Sequence, residues 1–224
     1  MLQISRPTFL LEKTVLQNNP TALIIGMDEA GCGPWAGPLV AGAVAFFSHH
    51  WDMIEGTLQL NDSKKLSSKK REGLFPKIHD YAVTGVGIVS VEEIDEMGLA
   101  AAHRLSLKQA MTMLLTSHPH EEPFILMDGI RQPKLPYPTQ MIVKGDSKSC
   151  SIAAASILAK VTRDRLMQGL SFDFPQYGWE KNAGYGTKAH QEALKTYGVT
   201  AHHRRSYAPI QKFLRAESSL VHIT

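Results

Sequence analysis

Short unbroken runs of apolar residues alternate along the chain with longer stretches in which apolar residues recur at helical spacing. Short apolar runs bounded by turn residues are typical of strands buried on both faces, and the longer periodic stretches predict helices packed on a sheet. The predicted strands are residues 23–28, 39–47, 83–91, 124–128 and 140–144. The predicted helices are residues 68–81, 99–117, 151–170, 187–197 and 208–217. This alternation predicts an α/β protein.

The first two predicted strands flank a loop, residues 30–38, that is rich in glycine and proline. So much Gly and Pro excludes a helix and requires a sharp turn with exposed backbone. Its amides either form ordinary turn contacts or bind the oxygens of a ligand. The two flanking strands can pair as an antiparallel hairpin, with β-α-β units after them, so that the central sheet is mixed.

Acidic residues stand where two of the predicted strands end. Asp28 and Glu29 close the first apolar run, and Asp128 closes the run 124–128. If these strands lie side by side and parallel, their carboxylates converge at the rim of the sheet where active sites of open α/β sheets lie. Converging carboxylates repel each other unless a proton or a hard cation such as Mg²⁺ or Mn²⁺ neutralises them. The pattern therefore indicates a metal site.

Each acidic position also has a simpler interpretation. An acidic pair at a strand end is often solvated surface, and Asp128 before Gly129 equally fits a turn. Adjacent strand residues point to opposite faces, so Asp28 and Glu29 share one site only if the strand ends or twists at Glu29. Asp146 precedes the predicted helix 151–170 and is either a residue of the helix approach or a fourth carboxylate at the same rim.

Basic and aromatic positions also allow two interpretations each. Five cations fall within eight residues, namely Lys64, Lys65, Lys69, Lys70 and Arg71. Such a run is either a solvated face or a phosphate contact. Tyr185, between two glycines, is either a loop anchor or a ring that packs on a sugar or base. Residues 202–205 carry at least two positive charges and are candidates for a phosphate contact, whereas His190 is interpreted as a helix-surface residue.

Composition is that of a globular protein with a slight excess of positive charge. The chain has 224 residues, of which 43% are hydrophobic and 20% charged, and its net charge of +3 indicates a nucleic-acid partner only weakly. Cys32 and Cys150 have no metal-ligand spacing and suit a reducing compartment. The N-terminus has no signal-peptide pattern, and the longest apolar stretch, residues 39–47, is too short to span a bilayer. We therefore expect a cytoplasmic protein without a membrane partner.

Taken in order, these motifs resemble the signature blocks of the ribonuclease HII family. The blocks are residues 26–34 (GMDEAGCGP), 61–66 (NDSKKL), 127–129 (MDG), 144–146 (KGD), 153–164 (AAASILAKVTRD), 184–187 (GYGT) and 203–207 (HRRSY). The resemblance extends over about residues 23–210. It implies a ribonuclease H-like fold with a mixed central sheet flanked by helices and a helical C-terminal segment. We expect one catalytic domain, residues 1–224, with residues 211–224 as its C-terminal tail or helix.

The resemblance also implies an activity. The expected enzyme is an endonuclease that cuts the RNA strand of RNA–DNA hybrids and the 5′ side of ribonucleotides embedded in duplex DNA. The products would carry 5′-phosphate and 3′-hydroxyl ends, and the enzyme is expected to act as a monomer. The sister type, ribonuclease HIII, has an extra N-terminal substrate-binding domain, and too few residues precede the first predicted strand for one here.

Site residues follow from the same resemblance. It implies Asp28, Glu29, Asp128 and Asp146 as the carboxylates that bind two Mg²⁺ or Mn²⁺ ions. For the substrate, it implies that the backbone of Gly31, Cys32 and Gly33 contacts the 2′-hydroxyl, the group that distinguishes RNA from DNA.

Two side chains complete the implied substrate site, and one position departs from the family. Tyr185 would bond the same hydroxyl while its ring packs on the next sugar, and Lys64 would contact a phosphate. Cys32 stands where the family has arginine. Backbone contacts survive this change, whereas a cationic phosphate contact does not.

Two rival functions use some of the same residues. Another metal nuclease of this fold, such as a junction resolvase, would share the carboxylates but would not need Tyr185 to contact a 2′-hydroxyl. A non-catalytic hybrid-binding protein would keep the basic patches. It would have no use for an acidic cluster, which repels nucleic acid when it holds no metal.

Overall fold

The architecture is built on one mixed five-stranded sheet. The computed structural model describes residues 6–116, 122–130 and 132–221, without the side chains of 217–221. The strands are β1 (Ala22–Ala30), β2 (Leu39–Phe46), β3 (Ala82–Val89), β4 (Glu122–Asp128) and β5 (Thr139–Ile142). The helices of this part of the chain are α1 (Leu10–Asn18), α2 (Trp51–Thr57), α3 (Ser68–Tyr81), α4 (Val91–Met97), α5 (Leu99–Thr116), α6 (Cys150–Asp173), α7 (Trp179–Asn182), α8 (Lys188–Tyr197) and α9 (Ala208–Val221).

Strand order in the sheet is β3-β2-β1-β4-β5. The strands β1 and β2 pair antiparallel, whereas β1 with β4 and β4 with β5 pair parallel. The predicted hairpin, the predicted parallel pair and the mixed sheet are therefore confirmed. Met27 lies opposite Met127 in the β1–β4 register, so the acidic residues that follow them, Asp28 and Asp128, lie at the same level.

Helices cover the two faces of the sheet through separate apolar clusters. On one face, Leu107 and Leu114 of α5 pack with Met27 of β1. On the other, Ile152 and Leu158 of α6 pack with residues that include Val44 and Leu126. The helix α6 approaches the sheet closely because small residues face each other. A Cβ added at Gly42 would lie 2.5 Å from the carbonyl oxygen of Ala155, so only glycine fits there.

The chain forms two compact units. The first consists of residues up to Ala30, Val40–Ile88 and Arg104–Val161, and it contains both clusters on the sheet. The second consists of Gly31–Leu39, Val89–His103 and residues from Thr162 onward, and its own core includes Tyr177, Trp179 and Ile210. The single catalytic domain of residues 1–224 remains a prediction.

Element boundaries differ from the sequence prediction where local capping overrides strand propensity. The strand predicted to reach residue 91 ends at Val89, because the Ser90 and Glu93 side chains form a reciprocal capping box that begins α4. Lys144 adopts a left-handed conformation with φ 54°, which ends the last predicted strand early. The short helices α1, α2, α4 and α7 were not predicted. Ser117 and residues 222–224, the ends of two predicted helical segments, lie outside the described residues.

Candidate active site

Three carboxylates converge in the first unit. Asp28 lies near the end of β1, Asp128 ends β4, and Asp146 lies in the turn Gly145–Ser147 that follows β5. One carboxylate oxygen of each residue lies within 4.8 Å of those of the other two. Asp28 is 7% exposed and Asp146 6% exposed. This group is the candidate metal centre.

Backbone amides hold two of these carboxylates in place. Asp128 Oδ1 accepts hydrogen bonds from the amides of Gly129, at 2.9 Å, and Gly145, at 2.7 Å. The second bond ties the end of β4 to the turn that carries Asp146. Asp28 Oδ1 accepts from the amide of Glu29 at 2.8 Å. The sequence places Asp28 and Asp128 near strand ends, and the backbone amides that follow them then fix their positions.

Burial and repulsion by neighbouring charges oppose the ionisation of Asp28 and Asp146. Burial, and then the charge of Glu29, raise the pKa of Asp28 well above its ordinary value. Burial, followed by the charges of Asp62 and Asp128, raises the pKa of Asp146 to about 6. A cation would relieve this repulsion. The donors are all carboxylate oxygens, which fits a hard divalent ion such as Mg²⁺ or Mn²⁺.

Glu29 takes a different position from the other three predicted ligands. The strand β1 does not end at Glu29 but continues to Ala30, and Glu29 lies opposite Ala41 in the pairing with β2. Its carboxylate is not one of the three convergent groups. It is nevertheless close enough for its charge to raise the pKa of Asp28. A metal-binding role for Glu29 remains a prediction.

Lys64 and Asp62 lie beside the carboxylates. Burial alone would lower the pKa of Lys64, but the charges of Asp28, Asp62 and Asp146 raise it above its ordinary value. The Asp62 carboxylate accepts from the Lys64 amide at 2.9 Å and shares a side-chain hydrogen bond with Asp146. Asp62 was not predicted as a site residue, although it lies in the same NDSKKL motif as Lys64. The phosphate contact of Lys64 remains a prediction.

Part of the basic run supports the turn that carries Lys64. Arg71 Nη1 donates to the carbonyl oxygens of Ser63, at 2.9 Å, and Leu66, at 2.6 Å. Lys65 Nζ lies 3.8 Å from the Asp62 carboxylate, in an ion pair whose lysine is exposed and whose aspartate is mostly buried. Some cations of the basic run therefore stabilise the protein's own turn, and do not serve only as a charged surface.

In the second unit, two buried arginines shape the loop of residues 31–38, called here the glycine loop. Gly31 and Gly37 adopt positive φ angles of 106° and 83°, which favour glycine. Arg163 donates to the carbonyl oxygens of Ala36, at 3.0 Å, and Pro38, at 2.9 Å. Arg204 donates to the carbonyl oxygen of Gly37 at 3.0 and 2.9 Å, and its other hydrogen bonds reach the carbonyls of Cys32 and Pro38 and the hydroxyl of Tyr207.

The two arginines are unusual because both guanidinium groups are almost completely buried. Burial, and then the charge of Arg204, lower the pKa of Arg163 to about 10. The predicted phosphate contact by residues 202–205 is therefore wrong for Arg204 and for His203, which are both 0% exposed. Arg205 is exposed, and its backbone amide donates to Asp95 at 2.7 Å.

Tyr185 combines an anchored backbone with an accessible ring. Its side chain is 49% exposed, and a Cβ added at Gly33 would lie 3.4 Å from its ring. Its carbonyl oxygen accepts from His190 Nδ1 at 2.9 Å. His190 is 0% exposed, so its interpretation as a helix-surface residue is wrong. The second unit thus brings together the predicted substrate residues Gly33 and Tyr185.

Carboxylates gathered at the ends of parallel strands, on a mixed sheet flanked by helices, define a metal-dependent enzyme of the ribonuclease H-like class. Within that class, the chain belongs to the Ribonuclease HII family, whose model matches residues 25–210. The Ribonuclease HII of Wolbachia sp. subsp. Brugia malayi (strain TRS) is 47% identical over 195 residues, 87% of this chain and 92% of that protein. The family is metal-dependent, and this chain is an endoribonuclease that acts on RNA–DNA hybrids.

Solved structures agree with this assignment. The crystal structure of the ribonuclease H2 from Pyrococcus horikoshii OT3 superimposes with a TM-score of 0.71 at 28% identity, covering 86% of this chain and 97% of that one. Bst-RNase HIII, solved in complex with Mn²⁺, gives a TM-score of 0.73 at 20% identity, covering 88% of this chain and 70% of that one, and supports the fold alone. No helix in the described part of the chain has the length and apolar character needed to cross a bilayer.

Proposed function

We propose that Asp28, Asp128 and Asp146, assisted by Glu29, hold the divalent ions with which this enzyme cuts its substrates. The convergence of three carboxylate oxygens within 4.8 Å is the observation that carries the proposal. Bound Mg²⁺ or Mn²⁺ would activate water and offset the charge that develops on the phosphate and on the departing 3′ oxygen. Raised pKa values at Asp28 and Asp146 support the same assignment, because a site this repulsive favours a cation.

The chain's own groups have separate tasks around this centre. Asp128, held by the Gly129 and Gly145 amides, orients its carboxylate before any ion binds. Lys64, whose charge faces the carboxylates, would contact a phosphate of the cut strand when substrate is bound. Asp62 links the Lys64 backbone to Asp146 and so connects the two.

We further propose that the second unit recognises the ribose. The backbone of Gly31, Cys32 and Gly33 and the hydroxyl of Tyr185 would contact the 2′-hydroxyl, while the tyrosine ring packs on the neighbouring sugar. The exposed ring and the arginine-held carbonyls of the glycine loop support this role, because a preorganised loop loses less entropy on binding. The substrates would then include single ribonucleotides in duplex DNA as well as continuous hybrids.

We also propose that the enzyme is a monomer located in the cytoplasm. Cys32 and Cys150 are outside disulfides, which supports a reducing compartment. Sedimentation of the purified protein with and without a hybrid substrate tests the oligomeric state, and a stable dimer would contradict it.

Cleavage of three matched duplexes tests the proposal, with either one ribonucleotide in DNA, a continuous RNA–DNA hybrid, or DNA alone. With Mg²⁺ or Mn²⁺ we expect a cut on the 5′ side of the lone ribonucleotide, leaving 5′-phosphate and 3′-hydroxyl ends, and no cut in DNA alone. A four-way DNA junction is the matched control for a resolvase. Cutting of the junction, or of DNA alone, would contradict ribose recognition.

A further inference from the structure

A pair of buried histidines lies behind Tyr185 and has no part in the function described so far. His190 lies in the first turn of α8, and His203 lies in the segment before α9. Both side chains are 0% exposed. Their Nε2 atoms are 3.0 Å apart. Trp179 and Tyr177 pack against the pair. Histidines with this degree of burial need a defined set of hydrogen bonds.

The partners of His190 define its protonation state. Its Nδ1 lies 2.9 Å from the carbonyl oxygen of Tyr185, which can only accept, so Nδ1 carries the proton. In the neutral ring Nε2 is then an acceptor. The indole Nε1–H of Trp179, which can only donate, faces this atom at 3.3 Å. The tautomer of His190 therefore follows from two groups whose roles are fixed.

The same reasoning fixes the tautomer of His203. Because His190 Nε2 accepts, His203 Nε2 must carry the proton that it donates. His203 Nδ1 is then an acceptor, and the backbone amide of Thr200 donates to it at 3.0 Å. The result is one directed chain of hydrogen bonds from Thr200 through His203 and His190 to the carbonyl of Tyr185.

This chain of hydrogen bonds is complete when both imidazoles are neutral. A proton added to His190 would face the N–H groups of Trp179 and His203. A proton added to His203 Nδ1 would break the bond from the Thr200 amide, although the Thr200 hydroxyl oxygen, 2.9 Å from the same nitrogen, can accept it. The electrostatics agree with the geometry. Burial lowers the pKa of His190, and burial together with the neighbouring His190 lowers the pKa of His203 to about 3.

Because both neighbours of Tyr185 are glycines, hydrogen bonds must hold its backbone in place. Gly184 and Gly186 flank it, and Gly184 adopts a φ of 82°. Since half of the Tyr185 side chain is exposed, the position of its hydroxyl depends on how its own backbone is held. The Tyr185 amide donates to the Asn182 carbonyl at 2.9 Å, and its carbonyl accepts from the Thr187 amide at 2.8 Å and from the side chain of His190.

We propose that His190 and His203 are positioning residues that set how well the enzyme distinguishes ribose from deoxyribose. They act through the backbone of Tyr185 and do not touch substrate. The inference rests on the proposed role of Tyr185, so its test separates the two.

Two substitutions of His190 distinguish the bond to Tyr185 from mere filling of space. In His190→Asn the amide nitrogen can occupy the position of Nδ1 and still donate to the Tyr185 carbonyl. In His190→Gln the amide reaches the position of Nε2 instead, and the bond to Tyr185 is lost. We expect kcat/KM on a duplex with one ribonucleotide to fall about tenfold in His190→Gln, the factor for one hydrogen bond, and to be rescued in His190→Asn.

A double-mutant cycle with Tyr185→Ala decides whether the effect passes through Tyr185. We expect Tyr185→Ala alone to lower kcat/KM, and His190→Gln to cause no further loss in that background. If Tyr185→Ala retains parental activity, the proposed role of Tyr185 fails. If Tyr185→Ala is impaired but His190→Gln lowers activity by the same factor in both backgrounds, the positioning role fails while the role of Tyr185 stands.

A second variant keeps the test decisive if His190→Gln does not fold. In His203→Gln the amide can donate to His190 Nε2 in place of the imidazole, and we expect most activity and the preference for ribonucleotide-containing duplex to be retained. His203→Leu removes that donor. Loss of ribonucleotide preference in His203→Leu with a folded circular dichroism spectrum supports the proposal, and equal activity of the two folded His203 variants overturns it.

Discussion

The carboxylates of Asp28 and Asp128 meet because two parallel strands are in register one residue earlier, at Met27 and Met127. The Glu29 amide then holds Asp28, the Gly129 amide holds Asp128, and Asp146 is brought to them through the bond from the Gly145 amide to Asp128. At the scale of single residues, the candidate metal centre is therefore a set of repelling charges held together by backbone geometry. Removing one charge should weaken ion binding more than it weakens the fold.

We expect Asp128→Asn to lower turnover at least about 100-fold while leaving the protein folded. The amide oxygen still accepts from the Gly129 and Gly145 amides, but the charge needed for the cation is gone. Thermal melting in chelator should match or exceed the parent, because repulsion among the carboxylates is relieved. The stabilisation caused by Mn²⁺ should shrink. Near-parental turnover would remove Asp128 from the metal centre.

Cys32→Arg should tighten substrate binding by adding to the glycine loop the cation that the resemblance implies at this position. The Cys32 carbonyl is already held by Arg204 and Tyr207, at 3.3 and 2.8 Å, so the backbone need not move. One added phosphate contact should steepen the log–log salt dependence of binding by about 0.9. A salt titration in Ca²⁺, which suppresses cleavage, measures the slope. Cys32→Gln is the matched neutral control, and identical slopes for the two variants would mean that position 32 does not face phosphate.

Residues of the site differ in how far the sequence predicts them. Asp28 and Asp128 follow from apolar runs that end in acid, and Asp146 and Tyr185 from their motifs. The roles of Arg163, His190 and His203 do not follow, because a buried polar side chain is defined by partners distant in sequence. Sequence composition predicts such residues at the surface, where most of them lie.

At the scale of elements, glycines in β1 and β2 allow α6 to pack closely on the sheet. Gly26 and Gly42 leave room for the backbone of α6 at Ser151 and Ala155. The small residues of the segment 153–156 are buried and permit such an approach. Strand and helix interiors were predictable from periodicity. Short helices and their ends were not, because capping contacts such as that of Ser90 involve few residues and compete with strand propensity.

Gly42→Ala should destabilise the protein by about 1–3 kcal/mol, because the new methyl group would press on the Ala155 carbonyl of α6. Gly73→Ala is the matched control in the interior of α3. An added Cβ there meets no atom within 4 Å, and replacing a helical glycine should stabilise by about 0.5–1 kcal/mol. Urea denaturation of both variants measures the difference. A Gly42→Ala protein as stable as Gly73→Ala would contradict the tight contact.

At the scale of the whole molecule, the net charge of +3 is a poor guide to the surface. Arg163 and Arg204 contribute two positive charges that are buried in the second unit, while Asp28 and Asp146 contribute buried acidic groups in the first. The weak excess of positive charge thus says little about affinity for nucleic acid. The buried groups instead control how stability depends on pH.

Acidification should destabilise the parent more than His203→Gln. The folded protein keeps His203 neutral, with a pKa of about 3, whereas the unfolded chain binds a proton below the ordinary value of 6.5. This contribution is complete above that pH and is lost as the pH falls towards 3. The loss between pH 7 and pH 5 should be about 2 kcal/mol, and smaller in the variant.

Acidification has the opposite effect on stability through Asp146. Its raised pKa of about 6 means that ionised Asp146 destabilises the folded state above that pH. Both proteins share this contribution, so it cancels when the two are compared. Urea denaturation in chelator from pH 7 to pH 5 provides the measurement. Parallel stability profiles would show that His203 is not held neutral.

The thiols of Cys32 and Cys150 differ in exposure, so a fluorescent label can be attached to one of them in the unmutated chain. Cys150 is 1% exposed, and burial followed by the charges of Glu12 and Glu55 raises its pKa, so a reactive thiolate is rare there. Cys32 is partly exposed and lies in the glycine loop. A maleimide dye should therefore label position 32 selectively without any engineered cysteine. Its fluorescence would follow the arrival and departure of substrate in real time.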